Sequence, residues 1–294
     1  MNLLSLLEKQ VREKGTLNTD FHNHLQTGSL FRGKSKNIFI EEGFYNLPGI
    51  LDRVAKTNLD VLYITNFADD RFESWTSNEQ LNLAIEAGYE IQVGNYFIFF
   101  KKEERVFAFG KSQEIPIKMG EHVLVSGLRR NKKLEERLTF DELKRECNDN
   151  EILIADHPYA ISGLFKKSKE KEEQIINQVD CLERNGNFYF PFSWADWKVK
   201  RAAKRYKKSL IANADGHHPK DIGKTYNEFE TDFLSYDSEI SFRDSIKSAI
   251  IENRFLTHYS PIPIYRVFHH ALMKAIYGIR KLLGKKDELE KYLS

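Results

Sequence analysis

The chain has 294 residues, 41% of them hydrophobic and 13% aromatic, which is enough for one large α/β domain or two smaller ones and too apolar for wholesale disorder. The formal net charge of +2 gives no overall case for a nucleic-acid or anionic-membrane binder, although local patches stay open. Two separated cysteines, Cys147 and Cys181, argue against a disulfide framework and a cysteine-based zinc site; with no signal-peptide pattern and no apolar run of membrane-spanning length, the expectation is a cytoplasmic protein.

Residues 1–14 are amphipathic and charged, and residues 15–21 read as a short strand. A helix is expected over 47–58, a continuous apolar strand over 60–65, and a helix over 77–88 with Gly88 as its stop. Residues 89–95, 96–101 and 105–110 read as consecutive strands, and 121–128 as another. Thr139 and Glu142 form a capping-box pattern opening a helix to about residue 148. Strands follow at 152–155, 179–182 and 210–214, interleaved with helices at 168–178 and 195–207. Helices over 241–253 and 264–283 close the chain. Strands alternating with helices argue for parallel strands joined by crossover helices, in a barrel or a doubly wound sheet.

The polar residues fall where these strands end. Asp20-Phe21-His22-Asn23-His24 closes the first strand, and imidazoles at i and i+2 on an extended segment point the same way. Asp156-His157-Pro158 follows the strand at 152–155, and Asp215-Gly216-His217-His218 follows 210–214. In parallel α/β folds the carboxyl ends of strands converge on one face, where sites are built. Imidazoles mixed with carboxylates, without thiolates, suit Zn, Mn or Fe bound for catalysis. Three positions read either way: Asp156 either joins the site or opens a turn before Pro158, His122 is either a ligand or a satisfied strand histidine, and Glu90 is either a ligand or a solvated strand residue.

These ordered pieces resemble the PHP (polymerase and histidinol phosphatase) family of metal-dependent phosphoesterases. Residues 20–24 look like its first motif, Ile154-Ala155-Asp156-His157-Pro158 like its third, and residues 213–223 like its fourth; the match covers about 17–229. The resemblance implies a distorted (β/α)7 barrel with up to three metals in its mouth. It implies His22, His24, Glu90 and Asp215 on one metal, Glu90, His122 and His157 on a second, and His217 on a third. Where the family has Asp-His in its second motif, this chain has Asn66-Phe67, and phenylalanine cannot ligate a metal. Two divalent ions (Zn, Mn or Fe) are therefore expected.

The expected activity is hydrolysis of a phosphomonoester or phosphodiester through a metal-bridging hydroxide, with Asp215, His157 and Glu90 as catalytic residues. Arg32, Lys34, Arg129 and Arg130 are candidates for holding the substrate phosphate. The partner is a phosphorylated small molecule or a nucleic-acid fragment. A second reading is a catalytically degenerate metal-binding module with a binding or regulatory role. Residues 1–258 are expected to form the barrel. Residues 259–294 are expected to form a helical extension whose apolar face, including Ile264, Ile276 and Leu283, would pack on the barrel or make a homo-oligomer.

Overall fold

The computed structural model describes residues 2–25, 46–67, 70–118, 121–147, 150–160, 163–165, 169–186, 193–217 and 219–261. Arg32, Lys34, His218 and the expected helix over 264–283 lie outside the described residues. The chain runs α1 (Leu3–Lys14), β1 (Thr16–Asn23), α2 (Leu47–Ala55), β2 (Val61–Asn66), α3 (Arg71–Trp75), α4 (Asn78–Glu86), β3 (Glu90–Val93), β4 (Phe97–Lys102) and β5 (Arg105–Pro116). It continues through β6 (His122–Leu128), α5 (Phe140–Glu146), β7 (Ile152–Ala155), α6 (Lys169–Ile175), β8 (Cys181–Asn185), α7 (Ser193–Tyr206), β9 (Ser209–Asn213), β10 (Tyr226–Glu230), α8 (Glu239–Ile251) and β11 (Phe255–His258).

The strands form one sheet in the order β11-β10-β1-β2-β5-β6-β7-β8-β9, with β3 joined through β4 to β5. The sheet curls until its ends meet. Asn23 at the end of β1 bridges to Gly216 just beyond β9, and the His24 amide donates to the Gly216 carbonyl at 2.9 Å. A Cβ on Gly216 would sit 2.7 Å from Asn23 Oδ1, so this seam admits only glycine without displacement. Lower down, the Asn227 side chain accepts from the Ala212 amide and donates to the Ala212 carbonyl, tying β10 to β9. The result is a nearly closed barrel, as the resemblance implies. Its staves are not uniformly parallel, because β6 runs antiparallel to both β5 and β7.

Period-two alternation sorts the apolar side chains into three cores. Val61 and Tyr63, Val106 and Ala108, and Ile152 and Ile154 face inward and join Leu17, Phe21, Leu124, Cys181 and Ile211 in the barrel interior. Their neighbours face out. Leu62, Ile64, Phe107 and Phe109 pack under α2 and α4, while Val123, Val125, Leu153 and Leu182 pack under α5, α6 and α7. Helix α1 contributes Leu3, Leu4, Leu7 and Val11 to the interior cluster, and α8 contributes Phe242, Ile246 and Ile250. Helix α1 begins on Asn2, whose side chain accepts from the Leu4 amide, and ends on Gly15 at φ 84°.

Candidate metal centre

The inward stripe of each strand changes from apolar to ionisable as it reaches the mouth. Val106, Ala108, Gly110, Ser112 and Glu114 share one parity on β5, so Glu114 tops the same row that fills the barrel below. By the same count Asp156 continues Ile152 and Ile154, Glu183 continues Cys181, and Asp215 continues Ile211 and Asn213. Strand β1 adds a device of its own. Its register with β2 slips between Asp20 and Asn23, so His22 and His24 enter the interior although Phe21 does too. Because β6 runs the other way, it delivers its first residue, His122, to the same place.

Glu114 lies at the middle of the result. Its Oε2 is 3.0 Å from His24 Nε2 and 3.6 Å from His22 Nε2. Its Oε1 is 3.4 Å from His157 Nε2 and pairs with His122 Nδ1. His22 Nδ1 sits 2.9 Å from Glu183 Oε1 and 3.4 Å from Asp156 Oδ1. Asp215 Oδ1 is 3.6 Å from His22 Nε2 and 3.5 Å from His24 Nε2. Three groups of ligand atoms lie within 4.8 Å of one another: Glu114, His122, Asp156 and His157; His22, His24 and Asp215; and His22, Asp156 and Glu183.

The surrounding chain holds these groups rigidly. Asn185 Nδ2 donates to Glu183 Oε2 at 3.1 Å and to Asp215 Oδ2 at 2.9 Å, and Asn213 Nδ2 donates to Glu183 Oε1 at 2.9 Å. The His157 amide donates to Glu183 Oε2 at 3.0 Å. Three strand ends turn through left-handed backbone at non-glycine residues: Leu25 (φ 33°), His157 (φ 24°) and Asp215 (φ 47°). Each such residue costs about 1–3 kcal/mol, and strain of this kind persists where the surrounding structure over-determines it.

The electrostatics ask for a cation. Burial disfavours the charge on His22, yet Glu183, Asp215 and Asp156 together raise its pKa well above the imidazole norm. Burial also opposes the charge on Glu114, but hydrogen bonds with His122, His157, His22 and His24 hold its carboxyl well below the usual range. Asp156, buried beside Glu114 and Glu183, is pushed well above the carboxylate norm. Neither Asp156 oxygen reaches hydrogen-bond geometry, and His24 Nδ1 and His157 Nδ1 are buried without a hydrogen bond. Four acids crowded in a buried site, with polar atoms unsatisfied and only nitrogen and oxygen donors present, fit a divalent metal ion.

The structure brings together His22, His24, His122, His157 and Asp215. His217 stands at the margin, its ring centroid 4.6 Å from that of His24 and its Nδ1 4.0 Å from Asp215 Oδ1. Two expectations are corrected. Glu90 is not in the cluster: it opens β3, a strand outside the barrel wall, with its side chain 66% exposed and paired to Lys101 at 2.7 Å. Arg129 and Arg130 follow the other end of β6, about 20 Å of extended chain from His122. There Arg129 Nε donates to the Tyr96 hydroxyl and Arg130 to the Gly94 carbonyl, so neither faces the mouth.

Sequence reasoning missed Glu114 and Glu183 and left Asp156 ambiguous. Lys111, Ser112, Gln113 and Glu114 look like the end of a strand, whereas they continue β5 with Lys111 paired to Glu73 and Gln113 bonded to Leu134. The signal available for Glu183 is a lone acid in the short run Cys181-Leu182-Glu183.

Comparison with known proteins meets this geometry. A family model described as PHP-associated matches residues 194–249, which contain Asp215 and His217. Over that stretch the chain is similar to the PHP-associated family. The fold is similar to that of PsfC from Pseudomonas syringae PB-5123, with a TM-score of 0.56 and 13% identity over 88% of this chain and 99% of that one. It is also similar to PfuEndoQ, a lesion-specific endonuclease from Pyrococcus furiosus, with a TM-score of 0.49 and 14% identity over 81% of this chain and 56% of that one. At 13% identity the likeness to PsfC is one of fold. No curated protein matches the sequence. No helix among the described residues is long and apolar enough to cross a membrane.

Proposed function

We propose that the chain is a metal-dependent phosphoester hydrolase with a dinuclear site bridged by Glu114. The observation that carries this reading is the Glu114 carboxylate, with one oxygen against His22 and His24 and the other against His122 and His157. His22, His24 and Asp215 would hold one ion, and His122, Asp156 and His157 the other. Divalent ions held there would supply charge stabilisation at phosphoryl oxygens and ease deprotonation of an attacking water.

The chain's own groups do the rest. Glu183 accepts from one face of His22, and so orients its other nitrogen toward Glu114 and His24. Asp215, within 3.6 Å of both His22 and His24, would take the proton of an attacking water. The substrate is a phosphomonoester or phosphodiester, on a small molecule or a nucleic-acid fragment.

A second reading, a metal-binding module without turnover, is favoured by Phe67. Its ring lies 6.1 Å from that of His24 and 5.3 Å from that of His122, so an apolar side chain covers ground that a ligand would need. One experiment separates the two readings. Purified protein loaded with Mn²⁺ or Zn²⁺ is assayed on nitrophenyl phosphate and bis-nitrophenyl phosphate. Turnover that disappears in His157→Ala supports the enzyme; metal content without turnover on any ester supports the module.

A further inference from the structure

Helix α7 connects the mouth end of β8 to the far end of β9, and its outer face is rich in cations and exposed indoles. Residues 193–208 hold seven cations and one acid, in a chain whose whole net charge is +2. Ala195, Val199, Ala202 and Ala203 face the barrel. That leaves Trp194, Trp197, Lys198, Arg201 and Arg205 as a stripe at helical spacing on the solvent side. Trp194 is 44% exposed and Trp197 is 58% exposed, large apolar areas to leave in water. Lys198 Nζ lies 4.7 Å from the Trp194 ring centroid, and the Arg201 guanidinium 5.3 Å from that of Trp197. Among the described residues Lys198 and Arg201 form no ion pair, so their charge is available to a ligand.

The stripe begins near strand ends that carry candidate metal ligands. Asp196 in the first turns of α7 accepts from Arg184 Nε at 2.6 Å, and Arg184 is the neighbour of Glu183. Lys198 also lies 5.9 Å from the ring of Tyr159, two residues beyond His157. From Trp194 to Arg205 the stripe runs about 16 Å along the helix axis, the span of a few nucleotides.

We infer that the outer face of α7 is a platform for single-stranded nucleic acid, which leads a phosphodiester backbone to the metal cluster. Exposed indoles stack unpaired bases without regard to sequence, and the cations beside them meet the phosphates. A duplex keeps its bases stacked on one another and offers the two indoles nothing. A lipid surface would need the apolar side of the helix, and that side is buried against the barrel. The inference deepens the phosphoester reading by naming the substrate class.

The test uses the full chain and a fluorescein-labelled oligothymidylate, read by anisotropy and by quenching of indole emission. Wild type binds with a strong salt dependence. Trp194→Ala and Trp197→Ala each weaken binding by about tenfold, and Arg201→Gln lowers the salt slope by about one. Lys9→Gln, an exposed cation on α1, changes neither. Circular dichroism melts confirm that each variant is folded. Absence of oligonucleotide binding by wild type overturns the inference, as does a Trp194→Ala/Trp197→Ala double variant that binds like wild type. So does binding to phosphatidylserine vesicles that is lost in the tryptophan variants while oligonucleotide binding is kept. Hydrolysis of bis-nitrophenyl phosphate by wild type, run in parallel, keeps the two readings apart. Hydrolysis without oligonucleotide binding overturns the platform alone; tryptophan-dependent binding without hydrolysis supports the platform and removes only the enzymatic reading.

Discussion

Glu114 Oε2 lies 3.0 Å from His24 Nε2, joining the end of β5 to the end of β1 across the mouth of the barrel. The contact links the first motif of the chain to a residue ninety positions later that no motif marks. Glu114, and not Glu90, is the carboxylate that lies among these histidines. Replacing Glu114 by Gln should therefore lower phosphoester turnover by at least about 100-fold, since even partners outside the direct ligands change metal-site activity about 10–100-fold. Glu90→Ala should leave turnover within about twofold of wild type, as surface substitutions generally do. Steady-state kinetics on one nitrophenyl ester measures both.

Glu183 holds His22 Nδ1 at 2.9 Å while Asn185 and Asn213 hold Glu183. Glu183→Gln keeps the shape but removes the charge that orients His22. Metal affinity should fall by about 10–100-fold, the usual effect of removing such a partner. Competition with a chromogenic chelator reads the change.

Metal binding should stabilise the fold, because the ions would neutralise four acids that the barrel closes around. Ion at about 100 times its Kd adds about 2.7 kcal/mol. Calorimetry in chelator and in Zn²⁺ should show Tm rising with metal, and the rise should shrink in Asp156→Asn.

The seam between β1 and β9 is a second point of stress. Gly216→Ala drives a Cβ to 2.7 Å from Asn23 Oδ1. Overpacking of this kind costs about 1–3 kcal/mol. Urea denaturation should show that loss, and metal affinity should drop with it because Asp215 is the adjacent residue.

Much of this arrangement was legible before the coordinates. His22, His24, His157 and Asp215 stand directly after apolar strands, and parallel strands bring such ends together. Their convergence is legible because a short apolar run followed by an imidazole or an acid is a local pattern. Glu114 is not legible in this way, because its strand turns polar well before it ends. Lys111 is buried against Glu73 and the carbonyls of Arg130 and Lys132, partners that only tertiary structure supplies. Read locally, that polarity ends the strand at Gly110. Glu90 was misplaced for the converse reason: β3 and β4 have strand character but form a hairpin against β5, off the barrel wall. The direction of β6 was also hidden, since a strand reads alike both ways, and this moved Arg129 and Arg130 away from the mouth.

Anomalous diffraction from crystals of zinc-loaded protein tests the bridging role of Glu114 most directly. The account predicts two strong peaks flanking the Glu114 carboxylate, one within ligand distance of His24 and Asp215 and the other of His122 and His157. Peaks that leave Glu114 uncoordinated, or no peak among these histidines, would contradict it.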